Sequence, residues 1–300
     1  MTRHHACGGY EQAQSMYGTR QITREAIIPT AACPAAQPRA IGAVMVRAKR
    51  LADRSAIADL RQSGAMKLLF PRPDSAALQA IVINTAGGVT GGDDFALKAC
   101  AEEDAFLTLT TQAAERAYRA QPGQVANIRN RLMVKQGATL HWLPQETILY
   151  EACALRRRLS VDLDEGASLL LVEPLVFGRA AMGEVLRKIN FKDRIEVRRG
   201  GRPLYLDAIT LQGDVTAHLA SANIAAGAGA LATVVYVAPD AEVHLPKLRA
   251  LLPNSAGASL LGPDLLVARI LAPDSFELRR SLMPILRQLS VDALPRSWIT

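Results

Sequence analysis

A mainly β chain, built as a stack of β-hairpins and sheets with a small C-terminal α/β layer of about two helices, is the fold class this sequence predicts. Three observations predict it. From Ala77 onward, apolar runs of strand length alternate with turn signals. The 21 glycines and 16 prolines, against 2 Trp, 6 Tyr and 6 Phe, suit short elements joined by many turns better than a helical bundle. A turn centred on Gly-Ala also recurs through the middle of the chain, as Gln136-Gly-Ala-Thr-Leu140 and again as Glu165-Gly-Ala-Ser-Leu169, with Glu103-Asp-Ala-Phe-Leu107 in a similar place earlier. With 49% hydrophobic residues over 300 positions, a buried core is well supplied.

Residues 1–40 are rich in Ala, Gln, Thr, Gly and Pro without periodicity, and Pro29, Pro34 and Pro38 punctuate their end, so a flexible lead-in is expected there. Within it, His4, His5 and Cys7 read as surface residues, since three ligands in a mobile segment hold a metal poorly without a fourth. The remainder, 41–300, is expected to be one domain, with a β body over about 41–225 and an α/β part over about 226–300. Strands are expected at Ala80–Ile83, Phe106–Thr111, Ile128–Val134, Thr139–Leu143, Leu159–Leu163 and Leu169–Val172. Ile128, Asn130, Leu132 and Val134, and again Leu159, Val161 and Leu163, fall on alternate positions and turn one side of each strand to a core. Gly200-Gly201 predicts a tight hairpin turn between Ile195–Arg199 and Leu204–Leu206.

The last seventy or so residues change character. Thr233–Val237 is a β-branched strand, and after Asp240 and Glu242 the residues Val243, Leu245, Leu248 and Leu251 stand at helical spacing around Pro246. Leu265–Leu271 follows as a strand. A second helix then starts from Asp274 or Ser275 as cap, with Phe276, Leu278, Leu282 and Ile285 as its buried stripe and Pro284 interrupting it.

The net charge of +7 suits an acidic partner, but the basic runs Arg156–Arg158, Arg198–Arg199 and Arg279–Arg280 carry no interleaved aromatics, so nucleic acid is not the expected ligand. Cys7, Cys33, Cys100 and Cys153 form no CxxC pair, and neither a disulfide framework nor a zinc site is indicated. No charged start leads into an apolar core and no apolar stretch is long enough for a membrane helix; the expected location is the cytoplasm.

Familiar catalytic signatures fail on context. Asn84-Thr-Ala-Gly-Gly-Val-Thr-Gly-Gly-Asp-Asp94 follows a strand as a phosphate loop would, but ends in two aspartates that repel phosphate and leads into the apolar run Phe95–Leu97; its glycines read instead as a sharp, close-packed turn. Gly227, Gly229 and Ala232 match the dinucleotide fingerprint only nominally, because a strand follows. What remains is a set of acids beside apolar strands: Asp93, Asp94, Glu115, Glu146, Glu151, Glu173 and Glu184. Two readings stay open for them. Each is held in an ion pair, with Arg116, Arg119 and Arg179 as candidate partners, or some serve as weak oxygen ligands on the path of a divalent ion that must be released again.

The glycine turn Asn84–Asp94, the block Thr110-Thr-Gln-Ala-Ala-Glu-Arg-Ala-Tyr-Arg119, the block Trp142-Leu-Pro-Gln-Glu-Thr-Ile-Leu-Tyr-Glu151 and the acids around Gly178-Arg-Ala-Ala-Met-Gly-Glu184 occur in an order that resembles the UreD-type urease accessory proteins, from about residue 45 to the end. Pro295-Arg-Ser-Trp298 is similar to the family's C-terminus. The resemblance implies a largely β superhelical protein without catalysis or a tightly bound cofactor. It implies a scaffold that joins the urease apoprotein to a UreF-type accessory protein and a UreG-type GTPase. It further implies an internal tunnel conducting Ni2+ transiently toward urease, for which Asp93, Glu146, Glu151, Glu173 and Glu184 match acidic family positions and are the candidate path residues. Glu151 departs from the pattern, standing where many relatives carry aspartate. The alternative reading is a generic β-solenoid interaction module without a metal role.

Overall fold

The computed structural model describes residues 37–72, 75–290 and 294–299; the expected lead-in, with His4, His5 and Cys7, lies outside them. In chain order the elements begin with β1 (Ile41–Leu51), β2 (Arg54–Gly64), β3 (Met66–Leu69), β4 (Leu78–Asn84), β5 (Asp94–Ala101) and β6 (Phe106–Thr111). They continue with β7 (Glu115–Ala117), β8 (Ala126–Val134), β9 (Thr139–Leu143), β10 (Thr147–Leu149), β11 (Ala154–Leu163) and β12 (Ser168–Phe177). After a single 3-10 turn at Ala180–Met182 come β13 (Ile189–Arg199), β14 (Arg202–Gly213), α1 (Val215–Ala220), β15 (Ala230–Val237) and α2 (Ala241–Leu251). The chain closes with β16 (Ala256–Gly262), β17 (Leu265–Ala272), α3 (Ser275–Leu289) and α4 (Arg296–Ile299).

These strands make two sheets that the chain visits alternately. The first runs β14-β13-β11-β8-β5-β1-β2 and the second β16-β17-β15-β12-β9-β6-β4-β3, with β7 and β10 pairing beside the second. The recurring Gly-Ala turns are the crossings between them: β5 to β6, β8 to β9 and β11 to β12. At each crossing a residue of positive φ stands in the same place, Asp104 (57°), Gly137 (69°) and Gly166 (71°), and Gly200 (53°) of the β13–β14 hairpin completes the column. Successive turns are also stitched together, by Lys135 N to Ala101 O (2.9 Å), Asp164 N to Val134 O (2.9 Å) and Gly200 N to Leu163 O (3.0 Å). Because equivalent strands pair in parallel, each repeat is one coil of a solenoid-like stack that crosses between sheets, and sequential antiparallel pairs stand outside the coils, at β1–β2, β3–β4, β13–β14 and β16–β17.

The core lies between the sheets, where the alternate residues expected on β8 and β11 point inward with Phe95, Leu97, Leu107, Leu109, Leu140, Leu169 and Leu171. The second sheet is covered on its outer side as well, by α2, α3 and α4. β12 accordingly reads as a nearly unbroken apolar run, with Leu169 and Leu171 facing the first sheet and Leu170 and Val172 facing the helices. The C-terminal part is thus joined edge to edge: β15 pairs antiparallel with β12 and extends the same sheet.

Asp274 caps α3 as expected, accepting from Glu277 N at 2.9 Å, and Leu278, Leu282 and Ile285 are buried. Phe276 is not part of that stripe. It is 70% exposed, because a residue two positions before Leu278 lies roughly 200° around the helix from it. Val243 and Leu251 of α2 likewise face out, and only Leu248 of the expected four is fully buried. Strands β1, β2 and β3 precede the first strand expected from the sequence.

Candidate functional site

Between the sheets, the loops at the end opposite the Gly-Ala crossings leave a cavity of about 310 Å³. Its mouth is formed by the glycine turn, by the segment Gln112–Arg116 and by Pro144–Thr147. Gly88 brings the turn against β7 so closely that a Cβ there would stand 2.2 Å from the Tyr118 ring, so glycine is required. Asn84 ties the mouth together: its Nδ2 donates to Gly88 O (2.8 Å) and to Glu115 Oε2 (3.1 Å). Burial holds the Glu115 carboxyl above the ordinary carboxylate range, against the Asn84 hydrogen bond that favours its ionised form.

At the buried end three charged side chains converge from three strands. Arg157 of β11 and Asp193 of β13 are register partners in the first sheet, and Glu173 projects from β12 of the second. The guanidinium reaches Glu173 Oε2 from Nη1 at 3.1 Å, Thr147 Oγ1 from Nη1 at 2.7 Å and Asp193 Oδ1 from Nε at 3.2 Å, with a further contact from Nη2 to Asp193 Oδ2. Trp142 Nε1 donates to Glu173 Oε1 at 2.7 Å, and the guanidinium stands 5.5 Å from the Phe191 ring centroid. One cation thus faces two carboxylates inside the protein. Asp193 takes two guanidinium hydrogen bonds and Glu173 one; burial, with Arg157 opposing, pushes the Glu173 carboxyl above the usual range. The same three residues also line a small pocket of about 10 Å³ on their far side, with Asp207, Ile209, Leu231 and Thr233. They therefore stand as a wall between the two spaces. Gln145, buried on the cavity wall, accepts at Oε1 from Arg279 Nη1 (2.8 Å), while its Nε2 has no hydrogen-bond partner among the described residues.

The structure does not gather the five acids singled out from the sequence. Only Glu173 is on the cavity wall. Asp93 is buried in the glycine turn, where it accepts from Ala40 N and Thr90 N, both at 2.8 Å. Glu146 faces Arg279 at 3.6 Å. Glu151 accepts from Arg187 N at 2.6 Å. Glu184 accepts from Arg179 Nε and Nη2, both at 2.9 Å, and from Glu151 N at 3.1 Å; the Arg179 guanidinium holds it below the ordinary carboxylate range. Among the described residues no group of three or more His, Cys, Asp or Glu is placed to hold a metal ion.

Two members of the wall escaped sequence reading. Arg157 was visible only as the middle of Arg156–Arg158, and its inward direction follows from its parity with Leu155 and Leu159, both buried. Asp193 had the same signal, an acid flanked at two-residue spacing by buried Phe191 and Ile195.

The family model described as UreD urease accessory protein matches residues 40–298. The chain is 58% identical over 244 residues to the urease accessory protein UreD of Ruegeria pomeroyi, covering 81% of this chain and 95% of that one. It is 54% identical over 267 residues to the UreD of Roseobacter denitrificans, covering 89% and 97% respectively. It is also 43% identical over 281 residues to the UreD of a Methylobacterium species, covering 91% and 99%.

Proposed function

Because this chain belongs to the UreD urease accessory protein family, we propose that it serves urease maturation as a non-catalytic scaffold, binding the urease apoprotein together with a UreF-type accessory protein and a UreG-type GTPase and giving Ni2+ a passage toward the urease active site. The observation that carries the nickel part is the Arg157–Glu173–Asp193 wall at the end of the inter-sheet cavity. Nickel is cargo in this reading. Carboxylate, amide and hydroxyl groups hold a divalent ion more loosely than thiolate or imidazole, which suits an ion that must be handed on. Glu173, Asp193, Gln145, Asn130 and Thr147 offer such groups on the cavity wall, while Asp93, Glu146, Glu151 and Glu184 brace the segments around it. GTP hydrolysis belongs to the partner, and the setting is the cytoplasm; no helix among the described residues is long and apolar enough to cross a membrane.

The test is urease activity, with the nickel content of the purified urease, in cells expressing the urease operon with this chain, without it, and with Ala114→Trp, which adds bulk at the cavity mouth. Nickel-poor, inactive urease without the chain, and reduced metallation with Ala114→Trp while the complex still assembles, is the expected result. Full metallation without the chain overturns the maturation reading. The rival interaction module draws support from the protein partners that each of the five acids already has. Full metallation by both Ala114→Trp and Glu173→Gln, with the deletion inactive, selects it.

A further inference from the structure

Among the described residues, no helix packs on the outer face of the first sheet. The helices α2 and α3 pack on β15, β16 and β17 of the second sheet, yet the four central strands β5, β8, β11 and β13 of the first are parallel, a kind of sheet that is ordinarily covered on both sides. Side chains at alternate positions of these strands point away from the cavity, and the register lines them up across the sheet. Arg129, Arg158 and Arg194 form one rung on three neighbouring strands. Arg156 stands beside Lys192 in the next rung toward the cavity mouth, and Lys98 beside Arg131 in the rung on the other side. Arg198 follows one rung further on, opposite Asp162. All eight are exposed.

Three acids answer them on the same face. Asp94 takes Arg129 at 2.6 Å, Asp162 takes Arg131 at 3.1 Å, and Glu196 is buried beneath Arg158 (3.3 Å), Arg194 (3.5 Å) and Arg198. Glu196 thereby fixes three guanidinium groups as an outward array. Solubility alone asks for charges of mixed sign, and like charges placed side by side on adjacent strands destabilise the sheet. Among the described residues this face instead carries eight basic side chains against three acids, and its strands turn no aromatic side chain outward on which bases stack.

We propose that this face of β5, β8, β11 and β13 is the docking surface for a carboxylate-rich protein surface. That the protein presenting it is the urease apoprotein rests on the maturation reading above. Such a contact accelerates encounter and fixes orientation, and weakens as salt screens it.

The experiment compares the full chain with its Lys98→Glu/Arg156→Glu/Lys192→Glu variant. These three residues lie outside the ion pairs just described, so their reversal leaves no buried acid without its partner. Binding to immobilised urease apoprotein is measured between about 50 and 300 mM NaCl, with thermal unfolding as the check on folding and Lys247→Glu, an exposed change on α2, as control. The expected result is an affinity about tenfold or more lower in the triple variant with a flatter salt dependence, and a change below about twofold in the control. Equal affinity and equal salt slope for wild type and triple variant overturn the proposal, as does a variant that loses only binding to a single-stranded oligonucleotide. If the triple variant unfolds early, Lys98→Gln/Arg156→Gln/Lys192→Gln is read by the same criteria. Nickel content of urease from cells lacking the chain is scored separately: full metallation there sinks the maturation reading whatever the binding curves give, and equal binding curves sink the docking face alone.

Discussion

Arg157 Nη1 and Glu173 Oε2 meet at 3.1 Å across the space between the two sheets, one residue from each, and both are about nine-tenths buried. A buried cation with two acidic neighbours contributes little net stability as a set, but removing one member strands the others. Arg157→Met is expected to cost about 3–5 kcal/mol, since it leaves Asp193 and Glu173 facing each other unpaired. Glu173→Gln keeps the acceptor for Trp142 and leaves Asp193 on Arg157, so about 1–2 kcal/mol is expected. Urea unfolding of both variants checks the order; equal losses would mean that the three residues do not act as a unit.

Glu115 and Glu173 give stability a pH dependence of definite sign. Both carboxyls bind their protons more tightly folded than unfolded, burial being the main cause. Their contribution is therefore full at pH below the ordinary value of 4.5 and is withdrawn as pH rises through the higher folded value. Glu184 and Glu196, held low by Arg179 and Arg198, act in the opposite sense. The readable quantity is thus a difference: between pH 4.5 and 8 the stability of Glu115→Gln relative to wild type rises. Parallel curves would contradict it.

The column of positive-φ turns supplies a comparison between two glycines in the same role. A Cβ on Gly166 meets nothing within 4 Å, whereas one on Gly137 would stand 2.1 Å from Asp104 Oδ1. Gly166→Ala is expected to cost about 1 kcal/mol from backbone strain alone. Gly137→Ala must also displace the Asp104 carboxylate, so its loss is the larger in denaturant unfolding.

Burial raises the Cys100 thiol to about 11, with Glu102 adding to the effect, and the Cys153 thiol to about 12. At neutral pH about one in a thousand or fewer of these thiols is the reactive thiolate. In a chain with Cys7 and Cys33 replaced by Ser, native labelling by a thiol reagent is expected to be slow and to become complete only on unfolding. Rapid native labelling of either residue would show that its strand opens.

How far the fold was legible follows from which strands have a neighbour on each face. Phe106–Thr111 and Thr139–Leu143 agree with the structure to the residue, because strands buried inside a stack carry apolar side chains at every inward position. β2 was invisible for the opposite reason: as the edge of the first sheet it mixes Ala56, Ile57, Ala58 and Leu60 with polar residues without a clean alternation, and only Ser55 is buried along its length. Glu173 stood out as the charge within the apolar run of β12, but its partners lie 16 and 20 positions away in sequence and meet it only through the register of other strands. Acidic type was readable at Asp93, Glu146, Glu151 and Glu184, and their separation in space was not, since a linear pattern fixes parity along one strand but not the stagger between coils.

The C-terminal Trp298 provides the last and sharpest contrast. It is 1% exposed and donates from Nε1 to Leu143 O at 2.8 Å, with the Arg279 guanidinium 5.0 Å from its ring centroid. Its neighbour Ser297 meets Thr110 at 3.2 Å and accepts from Arg279 at its carbonyl oxygen, 2.7 Å away. The segment thereby clamps α3 to β6 and β9 beside the Gln145 wall of the cavity. Trp298→Ala is expected to cost about 3–5 kcal/mol and Trp298→Phe, which keeps the apolar bulk and loses the hydrogen bond, about 1–2 kcal/mol. Phe276→Ala on α3 removes an exposed ring and is expected to stay within about 0.5 kcal/mol. Urea unfolding of the three variants reads the difference directly. A Trp298→Ala loss no larger than that of Phe276→Ala would mean that this segment is not part of the cooperative fold, and that the cavity wall it braces through Arg279 is held by β9 and β10 alone.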